Sequence, residues 1–326
     1  MIDGGVYPPG YRYPDGQRAP KPTNTQELQA MLRADRKSLS PSALSEDALV
    51  YFEERVLRET NKANTAAEVF PTIVGTQDRE LLQERKLQYN YDTPIVPGTS
   101  QPKPDKLYGA SADQIAIPVR RDLEQHIVPF SLSDPLVPNH TLELKGERGG
   151  SNVLQSQAMN NGAYGARAVH SVQNYGNTAP IYDGCARTVS TTYNDGTLRV
   201  YATHLAESTS HDRDAEYFMT HLNSYALIGD ADNFRRGATA FRNSRDWAQG
   251  QRDLLRSRAN AVATAEADAA IRQSSRSRST RRLTSTGSSV NPALRVASDT
   301  SASRDELSGL LTPLKRQRRH GQRLKM

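Results

Sequence analysis

The chain has very little cysteine and no long apolar segment. Cys185 is the only cysteine among 326 residues, so the sequence excludes an intrachain disulfide and a multi-cysteine zinc site. No apolar run approaches membrane-spanning length, and the first residues lack both the basic segment and the apolar core of a signal peptide. These absences predict a soluble intracellular protein without a membrane partner.

Several common catalytic motifs are also missing. The sequence contains no Gly-x-Ser-x-Gly elbow, no Walker A loop and no Cys-x-x-Cys pair. The spacing of His170, His204, His211 and His221 does not match that of metal ligands, so structural or surface roles are favoured for them. The motifs therefore exclude several familiar classes of hydrolase and nucleotide-binding protein.

Positive charge is concentrated at the C-terminal end of the chain. The net charge is +6, but residues 251–326 hold 16 Lys and Arg against 6 Asp and Glu, which leaves 26 against 30 in residues 1–250. Such a tail is typical of contact with nucleic acid, an anionic surface or an import receptor, although many basic tails are only solvated. A dense cluster of nuclear-localisation type predicts import into the nucleus, against the alternative of a nonspecific basic end; it contains Lys315, Arg316, Arg318 and Arg319.

The patterns along the chain divide it into three parts. Residues 1–23 lack periodicity and predict a disordered leader, residues 24–273 predict one folded domain, and residues 274–326 predict a disordered, basic, Ser/Arg-rich tail. Within the domain, apolar residues at helical spacing predict helices over residues 24–37, 45–63, 151–173 and 231–272. Short β-rich or alternating runs predict strands over residues 69–75, 141–146, 187–193 and 197–203, with a further short strand beginning at Asp105. Residues 216–226 suit a strand or a helix, and their aromatic residues favour a strand.

One predicted strand carries a candidate site. Leu142 and Leu144 alternate with Glu143 and Lys145, which places the carboxylate and the ammonium side by side on the second face. In a metal-dependent phosphodiesterase, such a pair serves as a cation ligand and as the group that orients the attacking water. The alternative is a solvated strand face, on which a Glu-x-Lys pair is common.

The residues around this strand resemble a known superfamily. Pro104 and Asp105, followed by Glu143-Leu144-Lys145 and then by a helix bearing Gln157, resemble the motif of PD-(D/E)XK nucleases. The wider stretch over roughly residues 40–260 also resembles uncharacterised fungal proteins described as nuclease-like; it includes Pro138-Asn139, Gly165-Ala166-Arg167-Ala168, Asp195-Gly196-Thr197 and Arg242-Asn243-Ser244-Arg245-Asp246-Trp247.

The resemblance implies a fold and a set of roles. The fold is α/β, a restriction-endonuclease-like three-layer core with a central mixed sheet between helices. Asp105, Glu143 and the Leu144 carbonyl would bind Mg²⁺ or Mn²⁺, Lys145 would face the phosphate or the water, and Gln157 would position the site. Where many members have a tyrosine one helical turn after the glutamine, this chain has Asn161. Some members recruit a glutamate from the first core helix, for which Glu53 and Glu54 are the candidates, although both suit an exposed helix face.

Two functions follow from the resemblance. The first is a divalent-metal-dependent nuclease acting on DNA or RNA, and the second is an inactive nuclease-like module that binds nucleic acid or a protein. Aromatic stacking on bases would suit either function, but aromatic residues in strands are more often core. The tyrosines concerned are Tyr175, Tyr182, Tyr193 and Tyr201.

Overall fold

The computed structural model describes residues 1–40, 42–59, 61–75, 94–129, 131–146 and 150–284. The predicted import cluster at Lys315 to Arg319 lies outside these ranges. Residues Met1–Gln273 form one compact unit. The helices of the described residues are α1 Thr25–Arg33, α2 Glu46–Arg58, α3 Lys62–Asn64, α4 Phe70–Val74, α5 Ile117–Asp122, α6 Glu124–Ile127, α7 Ser151–Gln173 and α8 Ala231–Thr284, the last of which extends beyond this unit. Its strands are β1 Val6–Tyr7, β2 Lys106–Ala110, β3 Leu136–Lys145, β4 Thr188–Asn194, β5 Thr197–Glu207 and β6 Ala215–Ala226.

The six strands form one mixed sheet in the order β1-β6-β5-β4-β3-β2. The β3–β4 and β1–β6 pairs are parallel, and the other pairs are antiparallel. Because parallel neighbours need a long crossover connection, α7 links β3 to β4. The predicted mixed α/β fold with a central mixed sheet is confirmed.

Helices cover both faces of the sheet. On one face, Leu142 and Leu144 of β3 share a buried cluster with side chains from α1, α2, α4 and the first part of α8. On the other face, α7 lies close to the strands, and a Cβ at Gly162 would clash with the Thr203 hydroxyl oxygen. The small residues of α7 therefore serve close packing on the sheet, as their number in the sequence predicts.

The predicted hairpin and the long C-terminal helix are both present. Asp195 and Gly196 join β4 to β5 with φ values of 45° and 69°, the left-handed conformations that a tight hairpin turn requires. Phe234, Phe241 and Leu255 of α8 are buried at the predicted seven-residue spacing. The helix is longer than predicted, since it continues past residue 272 to Thr284.

Two other predictions also differ from the structure. Residues 1–23 are not wholly unstructured, since Val6 and Tyr7 are buried and pair with β6. The predicted strand over residues 69–75 is instead a π-helical turn, Thr65–Val69, followed by α4. A short apolar run suits a buried helix as well as a strand, and proline is tolerated in the first helical turn, where Pro71 lies.

Candidate metal-binding site

The backbone of β3 fixes Asp105 beside Glu143. The Asp105 N–H donates to the Leu142 carbonyl at 3.0 Å, and the Leu144 N–H donates to Asp105 Oδ2 at 2.8 Å. These bonds join Asp105 to the residues just before and just after Glu143. The negative charge of Asp105 also raises the pKa of Glu143. The structure therefore brings together the two carboxylates that the sequence motif predicts.

Glu143 is a buried carboxyl group, with 1% of its surface exposed. Burial is the main reason that its pKa rises from 4.5 to about 7; the hydrogen bond from Asn161 lowers the pKa, as do the charges of Lys62 and Lys145. Asn161 Nδ2 donates to Glu143 Oε1 at 2.7 Å. Oε2 is also buried, and no described residue donates a hydrogen bond to it. The solvated-face alternative for Glu143 is therefore wrong.

Lys62 is a member of the site that sequence analysis does not find. Its Nζ lies 2.6 Å from Asp105 Oδ2, and the Asp105 side chain is only 8% exposed. The turn that carries Lys62 begins at Asn61, whose side chain accepts the Asn64 N–H at 2.9 Å. A helix-capping asparagine is the local signal that a turn starts here. The contact with Asp105 depends on tertiary structure alone.

Lys145 ends β3 and is half-buried. It is close enough to Glu143 for its charge to lower the pKa of that carboxyl. A narrow cavity beside Lys145 is lined by Glu59, at the end of α2, and not by Glu53 or Glu54. Glu53 is half-buried and Glu54 is exposed. The structure therefore places Glu59, rather than either predicted glutamate, next to the β3 lysine.

A cavity of about 300 Å³ opens at Glu143. Gln157 and Asn161, one turn apart on α7, both line it, and so does Lys103. The buried Gln157 Oε1 has no hydrogen-bond partner among the described residues. Gln157 therefore lies where the sequence predicts, whereas Asn161, the departure from the expected tyrosine, is the residue that contacts the carboxylate.

The oxygen atoms in this cavity suit a hard divalent cation. Within the described ranges, no group of three or more His, Cys, Asp and Glu side chains is arranged to hold a metal. Mg²⁺ usually takes only one or two carboxylates and keeps several waters. Two side-chain oxygens line the cavity, Glu143 Oε2 and Gln157 Oε1, and neither has a hydrogen-bond partner among the described residues. Asp105 lies beside Glu143 but outside the lining, and its Oδ2 is occupied by Lys62 and the Leu144 N–H. Oxygen ligands suit Mg²⁺ or Mn²⁺ better than zinc, which favours nitrogen and sulfur ligands.

None of the four candidate tyrosines lines the cavity at Glu143. Tyr193 and Tyr201 are 1% and 2% exposed, so they belong to the core and cannot stack on a base. Tyr175 and Tyr182 are half-buried.

In the part of the chain that the structure describes, no helix is both long and apolar enough to cross a membrane.

No protein-family model, curated protein or solved structure matches this chain.

Proposed function

We propose that this protein is a divalent-metal-dependent nuclease with a PD-(D/E)XK site and a restriction-endonuclease-like core. The single observation that carries the proposal is the pair formed by Asp105 and the buried Glu143, whose Oε2 lacks a hydrogen-bond partner among the described residues. The order of elements supports the core: Asp105 precedes β2, Glu143 lies near the end of β3, and α7 leads to the parallel strand β4.

Asp105 and Glu143 would hold Mg²⁺ or Mn²⁺, with the Leu144 carbonyl as a further ligand. Such a cation lowers the pKa of a bound water and neutralises charge on a phosphodiester. Asn161 fixes the orientation of the Glu143 carboxylate through its 2.7 Å hydrogen bond. Lys145, beside Glu143, orients the attacking water or stabilises the negative charge that develops on the phosphate. Gln157 supplies a polar oxygen to the same cavity.

A second function has one observation in its favour. The Lys62 ammonium already neutralises Asp105, and the pKa of about 7 leaves Glu143 partly protonated near neutral pH. A chain that supplies its own positive charge could retain the site without a metal. That arrangement suits a module that binds nucleic acid or a protein partner without cleaving it.

Cleavage assays with purified full-length protein distinguish the two functions. Single- and double-stranded DNA and RNA are incubated with Mg²⁺, with Mn²⁺ or with EDTA. We expect metal-dependent cleavage by the wild type and none by Lys145→Ala or Glu143→Gln. Glu53→Gln, which changes an acid on α2, should retain activity. Circular dichroism checks that each variant is folded.

Three outcomes decide against the nuclease. Absence of cleavage on all four substrates, together with absence of metal binding by calorimetry, rules it out. Cleavage that persists in Glu143→Gln shows that the activity does not come from this site. Nucleic-acid or protein binding without cleavage or metal binding supports the inactive module.

The nuclear location is also a proposal, and it rests on the sequence of the tail. Lys315, Arg316, Arg318 and Arg319 form a cluster that an import receptor would recognise through its positive charge. Deleting residues 313–326 from a fluorescent fusion should reduce its nuclear accumulation. An unchanged distribution would contradict the proposal.

A further inference from the structure

A large cavity lies at the edge of the sheet, where α1, the residues after it, the end of β6 and the start of α8 meet. Its volume is about 980 Å³. Five of its lining residues are cationic and one, Asp35, is acidic; the cations are Arg33, Arg36, Lys37, Arg235 and Arg236. A concave surface with this excess of positive charge attracts anions.

Two of the five cations already have a carboxylate partner. Arg36 pairs with Asp246 at 2.7 Å, and Arg235 pairs with Asp232 at 3.0 Å. For Arg33, Lys37 and Arg236, no carboxylate in the described ranges lies within ion-pair distance. The cavity therefore keeps three cations whose charge is available to a ligand.

The half-buried Tyr225 lies near two of these cations, Arg33 and Arg236. Burial raises the pKa of its hydroxyl, whereas a hydrogen bond with Asn223 and the positive charges of Arg33 and Arg236 lower it. Arg33 comes from the last turn of α1 and Arg236 from the first part of α8. Two separate elements thus place positive charge close enough to the Tyr225 hydroxyl to lower its pKa, and a cationic surface beside an aromatic residue suits a phosphate next to a base.

The cavity and the carboxylate pair lie on opposite faces of the sheet. The α1 and α8 residues that line the cavity belong to the helices that pack on the Leu142 and Leu144 face, and Tyr225 packs against the same apolar cluster. Glu143 contacts Asn161 of α7 on the other face. A ligand in this cavity is therefore bound separately from the Asp105–Glu143 pair.

We propose that this cavity binds the phosphodiester backbone of a nucleic-acid strand, through Arg33, Lys37 and Arg236. The inference rests on the proposed function for the class of ligand, but binding here needs neither a metal nor cleavage. The three cations contact phosphates, and Tyr225 contacts an adjacent base or sugar.

The test uses fluorescence anisotropy of a labelled single-stranded DNA 12-mer. Full-length protein is titrated in EDTA over a series of salt concentrations. The variant Arg33→Gln/Lys37→Gln/Arg236→Gln should bind at least about tenfold more weakly than the wild type at low salt. The slope of log affinity against log salt should become shallower by about 2, since each lost phosphate contact removes about 0.7.

Two further variants make the comparison specific. Arg18→Gln/Lys21→Gln/Arg258→Gln removes the same charge from exposed residues outside the cavity and should change binding little. Arg33→Lys/Arg236→Lys keeps the charge and should keep the salt slope. The basic tail is present in every variant, so differences between them report the cavity alone. Thermal melting checks that each variant is folded.

The possible results separate this inference from the nuclease proposal. Wild-type cleavage with unchanged binding by the cavity variant overturns the cavity inference only. Loss of binding in that variant, without any cleavage by the wild type, supports the cavity and overturns the nuclease. Equal losses in the cavity and control variants overturn the cavity inference, and so does binding of polyglutamate peptide but not of DNA.

Discussion

The Lys62 ammonium lies 2.6 Å from Asp105 Oδ2, the same oxygen that accepts the Leu144 N–H. A positive charge of the chain itself thus occupies one side of the proposed metal site. Its field reaches the second carboxyl group, because Lys62 also lowers the pKa of Glu143. A metal ion that binds to Asp105 and Glu143 must therefore bind against the repulsion of this lysine.

Replacing Lys62 by methionine should strengthen metal binding. The lysine side chain is 35% exposed, so its repulsion of a bound cation is partly screened and amounts to about 1 kcal/mol, or about fivefold in affinity. Calorimetric titration with Mn²⁺ at pH 8 measures the change, and Lys21→Met is the control at an exposed lysine. Unchanged or weaker Mn²⁺ binding by Lys62→Met would contradict the prediction.

The titration of Glu143 should make the stability of the protein depend on pH. Burial raises its pKa from 4.5 to about 7 in the folded state, so the folded protein holds this proton more tightly than the unfolded chain. The resulting stabilisation is complete below about pH 4.5 and is lost as the pH rises through about 7. Its size is at most about 3 kcal/mol.

Urea denaturation of the wild type and Glu143→Gln at pH 5 and pH 8 measures this effect. The glutamine variant cannot ionise, so its free energy of unfolding should increase relative to that of the wild type as the pH rises. Metal-free buffer is required, because a bound cation would stabilise the ionised carboxylate. A difference between the two proteins that is the same at both pH values would rule out the raised pKa.

Removing the Asn161 amide should shift metal binding to higher pH. Its hydrogen bond to Oε1 favours the ionised form of Glu143, so Asn161→Ala raises the pKa of that carboxyl further. The midpoint of Mn²⁺ binding against pH should move upward, and stability should fall by about 1–3 kcal/mol.

Asn160→Ala is the matched control for that shift. Asn160 lines the same cavity, but its side chain donates to the Ser100 carbonyl at 3.1 Å. Its replacement should leave the midpoint unchanged. Equal shifts in the two variants would show that Asn161 does not act through Glu143.

Two glycines in helices should respond in opposite directions to alanine. A Cβ at Gly165 would lie 2.8 Å from the Pro138 carbonyl oxygen, whereas no atom lies within 4 Å of one at Gly250. Gly165→Ala should lower the free energy of unfolding by about 1–3 kcal/mol because α7 must move away from β3. Gly250→Ala should raise it by about 0.5–1 kcal/mol through helix propensity. Urea denaturation measures both, and a neutral Gly165→Ala would contradict the close approach.

Local patterns predict much of the fold. The period of two around Glu143 identifies β3, the seven-residue spacing of Phe234 and Phe241 identifies α8, and the Asp195–Gly196 step identifies the hairpin. Each of these signals depends on neighbours within a few residues, so it can be read without knowing the rest of the structure. The run around Pro71 is misread because its pattern fits a buried helix as well as a strand.

The candidate site likewise combines features that local sequence patterns predict with features that only tertiary contacts produce. Local sequence patterns predict the strand that holds Glu143 and Lys145 on the face opposite to the leucines, and the resemblance adds Asp105 as their proposed partner. The burial of Glu143, the hydrogen bond from Asn161 to one of its oxygens and the ion pair between Lys62 and Asp105 arise from tertiary contacts alone. Burial, pKa and ion pairing depend on contacts between residues distant in the chain, and no local pattern specifies those contacts.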